Sequence, residues 1–217
     1  SRAGAPIPAR REGQRSVPLH STVDPFKEGH RYLALYGTTG YLVFLGLGAA
    51  YHVLPFLAAP SISRLLLVEA DVPQFRAVLG GVDLHPLLGD PRVRLLLGED
   101  PPSLRAFLLA DYLPAVHGDL RTVPLQSAIT ARQNRYAELA GAVQAAAAAV
   151  ADDYAVQSRF GRRWFVNTLA NLPAAQDSTV SLAPVSRAVV TGAGPSLEAQ
   201  VEHIPRLRAG GCLIASD

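Results

Sequence analysis

The sequence has 217 residues but one cysteine, one tryptophan, no methionine and, among its 20 basic residues, a single lysine, Lys27. A lone cysteine excludes a disulfide framework and a cysteine-based zinc site, and it fits a reducing compartment. The basic residues are nearly matched by 18 acidic ones, leaving a net charge of +2, so no charge field calls for a nucleic acid. Charged residues are scarce at 18% against 49% hydrophobic, which excludes a disordered chain and supplies a real core. The arginine and alanine excess reads as a GC-rich coding bias. The missing methionine implies that Ser1 follows a removed start. Residues 1–15 carry Arg2, Arg10, Arg11 and Arg15, two prolines and no apolar centre; that is no secretory signal and reads as a flexible arm. His20, His30, His52, His85, His117 and His203 lack metal-ligand spacing, so no metal is expected. No Ser–His–Asp set or Walker loop is present. The expected compartment is the cytoplasm.

Charge is missing altogether from Tyr32 to Ser63, where only His52 can ionise. By hydropathy that is a transmembrane candidate. Gly37, Gly40, Gly46, Gly48, Pro55 and Pro60 interrupt it, however, and the flanks repeat a strand–helix rhythm. A buried strand, a glycine turn and a helix account for it better, and no membrane span is expected.

What is present is that rhythm. Tyr41–Leu45, Arg64–Val68 and Arg92–Leu97 are apolar runs of strand length. Helices are expected over Ala49–Leu57, Val72–Gly80 and Ser103–Leu109, the last opened by Pro101 and Pro102. Strands apolar on both faces and alternating with helices indicate a parallel α/β sheet. Gln126–Val150 is alanine-rich, and Tyr154–Leu172 is closed by Pro173; the pair reads as a helical hairpin or one broken helix. The α/β pattern resumes with strand Arg187–Thr191, a helix from Pro195 to about Arg208, and strand Cys212–Ala215. The expected fold class is therefore α/β. A Rossmann-like three-layer domain spans 16–124, a helical connector 125–180, and the beginning of a second, truncated Rossmann-like domain 181–217, since one β-α-β unit does not cover its own sheet.

Two glycine turns carry the candidate chemistry. Gly46-Leu-Gly48 follows a strand, with Glu69 closing the next strand about 20 residues on, the distance at which a carboxylate meets a ribose diol. Glu99 and Asp100, after the third strand, would bracket an adenine. This resembles the S-adenosylmethionine-dependent methyltransferase pattern; tight turns with solvated carboxylates have the same spelling. The second turn is Gly192-Ala-Gly194-Pro195-Ser196-Leu197-Glu198. Its glycines admit a phosphate, Pro195 suits a first helical position, Ser196 adds a hydroxyl, and Asp217 stands where a ribose acceptor is expected. Leu197 occupies the third glycine position of the dinucleotide fingerprint, which argues against NAD and for another nucleotide. A third feature, the row Arg159, Arg163, Asn167 and Asn171 beside Phe160 and Trp164, reads first as a solvated helix face. Cys212 reads as inert core.

These residues resemble the MptE-like family, which includes the flagellar motility accessory factors (Maf). The resemblance is carried by Leu19-His-Ser21 with Asp24-Pro25, Phe44-Leu-Gly-Leu-Gly48 with Tyr51-His52, Leu67-Val-Glu69 and Asp90-Pro-Arg-Val-Arg94. It continues through Phe160-Gly-Arg-Arg-Trp164 with Asn167 and Asn171-Leu-Pro173, and above all Val190–Glu198. It implies the N-terminal part of a protein whose relatives are of two kinds: ATP-using 6-hydroxymethyl-dihydropterin diphosphokinases, and glycosyltransferases that move nonulosonic acids from a CMP-sugar to flagellin. In both, Gly192, Gly194, Pro195 and Ser196 would hold nucleotide phosphates. The implied full-length protein is a transferase using a nucleotide or nucleotide-sugar, and the resemblance is compatible with flagellin as a partner and with an oligomer. This stretch alone is expected to be inactive, with its catalytic residues beyond Asp217. Methyltransferase-like binding of S-adenosylmethionine and non-catalytic recognition of flagellin or an assembly partner are the alternatives.

Overall fold

The computed structural model describes residues 1–177, 188–192, 194–208 and 212–215. In chain order the elements are β1 (Ala9–Glu12), β2 (Arg15–Pro18), α1 (Pro25–Tyr36), β3 (Gly40–Leu45), β4 (Ile62–Glu69), α2 (Val72–Leu79), α3 (His85–Leu88) and β5 (Val93–Leu97). Then come α4 (Pro101–Asp111), α5 (Pro114–His117), β6 (Leu120–Pro124), α6 (Gln126–Ala131), α7 (Gln133–Asp177), β7 (Ala188–Thr191), α8 (Ile204–Arg208) and β8 (Cys212–Ala215). Short 3₁₀ helices cover Leu54–Ala58 and Pro195–His203. The chain divides into two compact units, Ser1–Arg159 and Phe160–Asp217.

The first unit is a three-layer α/β domain. Its sheet has the order β5-β4-β3-β6, all parallel. All six residues of β3 are buried, as a central strand covered on both faces must be. Alternate residues serve opposite cores. Leu42, Phe44, Leu65, Leu67 and Val93 pack with Phe56 and with Phe75, Val78 and Leu87 of α2 and α3. Tyr41, Val43, Leu45, Leu66 and Val68 pack with Leu104 and Leu108 of α4 and with Tyr136, Leu139 and Val143 of α7. Helix starts are set by aspartate caps: Asp24 accepts from the Lys27 amide, Asp71 from Gln74 and Asp100 from Ser103. Arg92 braces the sheet edge, donating to Asp90 and to the carbonyls of Leu57 and Ala59. Among the described residues no helix is long and apolar enough to cross a membrane; Tyr32–Ser63 is the end of α1, β3, a turn, the first 3₁₀ helix and the start of β4.

Several expectations need correction. Residues 1–15 are not a free arm. β1 and β2 form an antiparallel hairpin around Gly13, whose φ of +60° suits a two-residue turn, and the Arg2 amide bonds to Thr22 carbonyl. No α-helix follows the first glycine turn: Ala49–Leu57 is a set of turns leading into the 3₁₀ helix, with Ala50 at φ +60° and Pro55 denying a helical amide. The stretch from 125 is no mere connector. α6 and the first half of α7 supply Ala128, Tyr136, Leu139, Ala142, Val143 and Ala146 to the core, forming its outer layer. Nor is the long helix broken. α7 runs 45 residues through Gly141 and Gly161, each a small cost of about 1 kcal/mol, and carries Pro173 inside its last turns. α1 and β6 had no counterpart in the sequence reading.

The second unit has a parallel two-stranded sheet, β7 with β8, as the sequence indicates. The helical stretch between them is 3₁₀ from Pro195 to His203 and α only from Ile204. Pro205, without an amide and with a ring that crowds the preceding turn, restarts the helix there.

If α7 belongs to the first domain, Leu139→Ala should cost about 2–4 kcal/mol. The reading is loss of hydrogen-exchange protection in β3 and β4 in urea; a plain connector helix would leave those strands unchanged.

Candidate functional site

In the order β5-β4-β3-β6, chain connection reverses direction between β3 and β6, and the crevice at the carboxyl ends of those strands is where open α/β sheets receive ligands. The first glycine turn sits there. Gly46 (φ +84°) and Gly48 (φ +52°) both adopt the left-handed region that glycine tolerates best. Their missing side chains make room for the protein itself. A Cβ on Gly46 would lie 2.3 Å from the Ala128 methyl and 3.4 Å from the Tyr136 hydroxyl; one on Gly48 would lie 2.7 Å from His20 Nε2.

Glu69 stands where the sequence places it, at the end of β4, but it is 1% exposed. Its Oε2 accepts the Leu47 amide at 2.9 Å, between the two glycines. Its Oε1 accepts the Asp71 amide and the Tyr136 hydroxyl, each at 2.8 Å. Burial first, and the facing Glu69 carboxylate second, push the Tyr136 phenol far above its ordinary pKa, so it remains a donor. Asp71 extends the brace: Arg132 reaches its Oδ2 at 3.0 and 2.7 Å. A ribose at Glu69 would have to displace Tyr136 or the turn's own amide.

Of the other two acidic residues, one is engaged through its side chain and one through its backbone. Asp100 caps α4 through the Ser103 amide at 2.8 Å, and Ser103, through its side chain first and its amide second, holds the carboxyl below the usual aspartate value. The Glu99 carbonyl receives Arg135 at 2.7 Å. The structure thus brings Gly46, Gly48 and Glu69 together and places Glu99 and Asp100 at the start of α4. Sequence reading missed Tyr136, Ala128 and His20, the groups that fill the crevice. The small residues of the turn were the available signal, since they show that something approaches closely.

The turn in the second unit is open. Gly192 follows β7 directly, Gly194 takes an extended conformation at φ −91°, and Pro195 begins the 3₁₀ helix, with the Leu197 amide bonded to the Gly194 carbonyl at 2.9 Å. Among the described residues a Cβ on Gly192 meets nothing within 4 Å, and one on Gly194 meets only Ser196 Oγ at 3.9 Å. A cavity of about 260 Å³ lies against this turn, lined by Thr191, Gly192, Ser196 and Gln200 with Leu197 and Ile204 below. It combines an apolar floor with hydroxyl and amide groups, the composition of a small polar-ligand site. Asp217 lies outside the described residues. Arg163, Asn167 and Asn171 are on the exposed surface of α7, where Phe160 and Trp164 stack at 6.0 Å. Cys212 is a half-buried free thiol on β8. Among the described residues no group of three or more His, Cys, Asp and Glu side chains is placed to hold a metal.

No protein-family model matches the chain. Two uncharacterized proteins of Treponema pallidum (strain Nichols) are similar to it. One is 30% identical over 142 residues, covering 63% of this chain and 66% of its own length. The other is 27% identical over 209 residues, covering 89% of this chain and 68% of its own. Among solved structures, the MAf glycosyltransferase from Magnetospirillum magneticum AMB-1 is similar at 16% identity with a TM-score of 0.46, over 91% of this chain and 35% of that one. The chain therefore spans about two thirds of the two relatives and about a third of the solved protein.

The filled crevice makes a structural forecast. Glu69→Ala strands two buried amides and the Tyr136 hydroxyl and should cost about 2–4 kcal/mol in urea unfolding. A residue that only contacts ligand would change stability by less than about 0.5 kcal/mol.

Proposed function

We propose that this chain is part of a nucleotide-dependent transferase, with the donor's phosphates held at the turn Gly192–Ser196 and the first domain serving as a scaffold. The observation that carries the reading is the open turn itself. Two glycines and Ser196 stand at the carboxyl end of a parallel strand, with no side chain of the described residues packed on the glycines, and border a cavity lined by hydroxyl, amide and apolar groups. A sharp strand-to-helix turn of this kind offers backbone amides and a hydroxyl to an anion. The missing third glycine separates it from dinucleotide sites.

The resemblance of Val190–Glu198 to the MptE-like and Maf proteins narrows the proposal to a glycosyltransferase using a CMP-linked sugar, acting in flagellin modification in the cytoplasm. Pterin diphosphokinase chemistry with ATP uses the same turn and is the competing reading. In either case Ser196 and the turn amides bind and orient phosphate oxygens, and Gln200 and Thr191 meet what extends from them.

The first domain has a separate reading. Its crevice is filled by Tyr136, Ala128 and His20 and its acid is saturated, which supports a non-catalytic role, with flagellin or an assembly partner as the recognised molecule, over S-adenosylmethionine binding.

Calorimetric titration of CMP and of ATP into the full-length protein tests the proposal. Binding of CMP, weakened about tenfold by Ser196→Ala, is the expected result, one charge-assisted hydrogen bond being worth at least that much. Binding of ATP alone would favour the kinase reading, and no heat with either nucleotide at millimolar concentration would refute the proposal.

A further inference from the structure

A buried pair of histidines lies behind the first glycine turn. His20 sits on the link between the N-terminal hairpin and α1, 5% exposed, and His52 follows the turn, 0% exposed. Their ring centroids are 5.5 Å apart. His20 reaches out of the link into the crevice. Its Nε2 lies 3.3 Å from the Leu47 carbonyl, and this is the atom a side chain on Gly48 would strike. The link is tied by the Leu19 amide to the Pro8 carbonyl, the Ser127 hydroxyl to the Leu19 carbonyl at 2.6 Å and the Ser21 amide to Glu28 at 2.8 Å, and segment 1–22 also by the Tyr51 hydroxyl to the Pro6 carbonyl and by the buried Ala5 and Leu19.

We propose that His20 is a proton-operated plug: it closes the space beside Gly48 at neutral pH, and acidification, by charging His52 behind it, drives segment 1–22 away from the crevice.

Every element packed on the pair contributes to this asymmetry. From α1, the Glu28 carboxylate faces His20, with Oε2 3.3 Å from Nδ1, and Arg31 acts on that carboxylate in turn. Also from α1, the Tyr32 ring stands 5.3 Å from His52. From β3 comes Phe44 at 5.7 Å from His52, and from the turn Tyr51, edge-on to His20 at 5.4 Å. α6 contributes the neutral Ser127 contact on Leu19. His20 thus has an oxygen 3.3 Å from each ring nitrogen, the Glu28 carboxylate beside Nδ1 and the Leu47 carbonyl beside Nε2, whereas neither nitrogen of His52 makes a hydrogen bond of good geometry among the described residues. A proton on His52 would place a charge in a fully buried site, 5.5 Å from the His20 ring and with no hydrogen-bond acceptor of its own among the described residues, and the pair can respond by separating. Segment 1–22, whose residues other than Ala5, Leu19 and His20 are half-buried or exposed, is the part able to move, and its departure would let water reach His52.

The sign follows from His52. Burial first, and the neighbouring His20 second, push its pKa well below the usual histidine value, against the pull of the Gly46 backbone. The closed form therefore binds fewer protons than the open one, so closure is complete above about pH 6.5, the ordinary histidine value, and weakens as pH falls below it. Glu28 is also held below the ordinary glutamate value, so its protonation weakens closure further at still lower pH.

Hydrogen exchange of the whole protein, corrected for intrinsic rates, reads the plug directly. Opening of residues 1–22 should rise about fivefold between pH 6.5 and 5.5, approaching one proton per unit of pH only below that range, while α4 keeps its protection. His52→Leu and His20→Gln should each flatten that response. Persistence of the response in His52→Leu, or simultaneous loss of protection in residues 1–22 and α4, would overturn the proposal. Should neither variant fold, the His52 Cε1–H resonance of the unaltered protein decides: titration above pH 6 with residues 1–22 still protected contradicts the plug, and charging concurrent with loss of protection supports it.

Discussion

A buried carboxylate, that of Glu69, ties the first domain together at the point where a parallel sheet of this order would otherwise gape. Its two oxygens take the amide between the two glycines, the amide at the start of α2 and the hydroxyl of Tyr136. Each donor comes from a different part of the chain, so the carboxylate fixes three things together: the path of the turn after β3, the entry to α2 and the seating of α7. The arrangement tolerates a buried acid because its acceptor capacity is used. With α7 seated, its apolar row covers one face of the sheet, and the hairpin and His20 close the other side of the crevice.

That constraint separates two turns that are similar in sequence. Both follow an apolar parallel strand and both contain glycine, any residue, glycine. At Gly46 and Gly48 the missing side chains admit Ala128, Tyr136 and His20; at Gly192 and Gly194 they leave open space beside Ser196 and Gln200. A glycine pair states that something comes close to the backbone. Whether that something is a ligand or the chain's own side chain depends on elements more than 60 residues away.

This is also the limit of what could be read in advance. β3, β4, β5, β7 and β8 were legible because continuous apolar runs of strand length admit few other structures. α2 and α4 were legible from their Asp and Pro starts. β6 escaped because Leu120-Arg-Thr-Val-Pro124 is half polar, and its strand character comes from pairing with β3. α1 announces itself with Asp24 and Pro25, but the long charge-free run after Tyr32 obscured its period. Residues 49–57 have helical composition, yet Ala50 at φ +60° and Pro55 make turns of them. The continuity of α7 was invisible because Gly141, Gly161 and Pro173 are usual breaks, and its partnership with the sheet is a tertiary fact. Glu69 was found as a site residue by spacing alone; its partner Tyr136 carries no local signal.

One turn is closed by the protein itself and the other borders the cavity for which we propose a nucleotide; a hydrogen-exchange footprint of the full-length protein with saturating CMP measures both together. Slowed exchange across Thr191–Gln200, with Gly46–Asp71 unchanged, is the predicted result. Slowed exchange at Gly46–Asp71 with none at Thr191–Gln200 would contradict it.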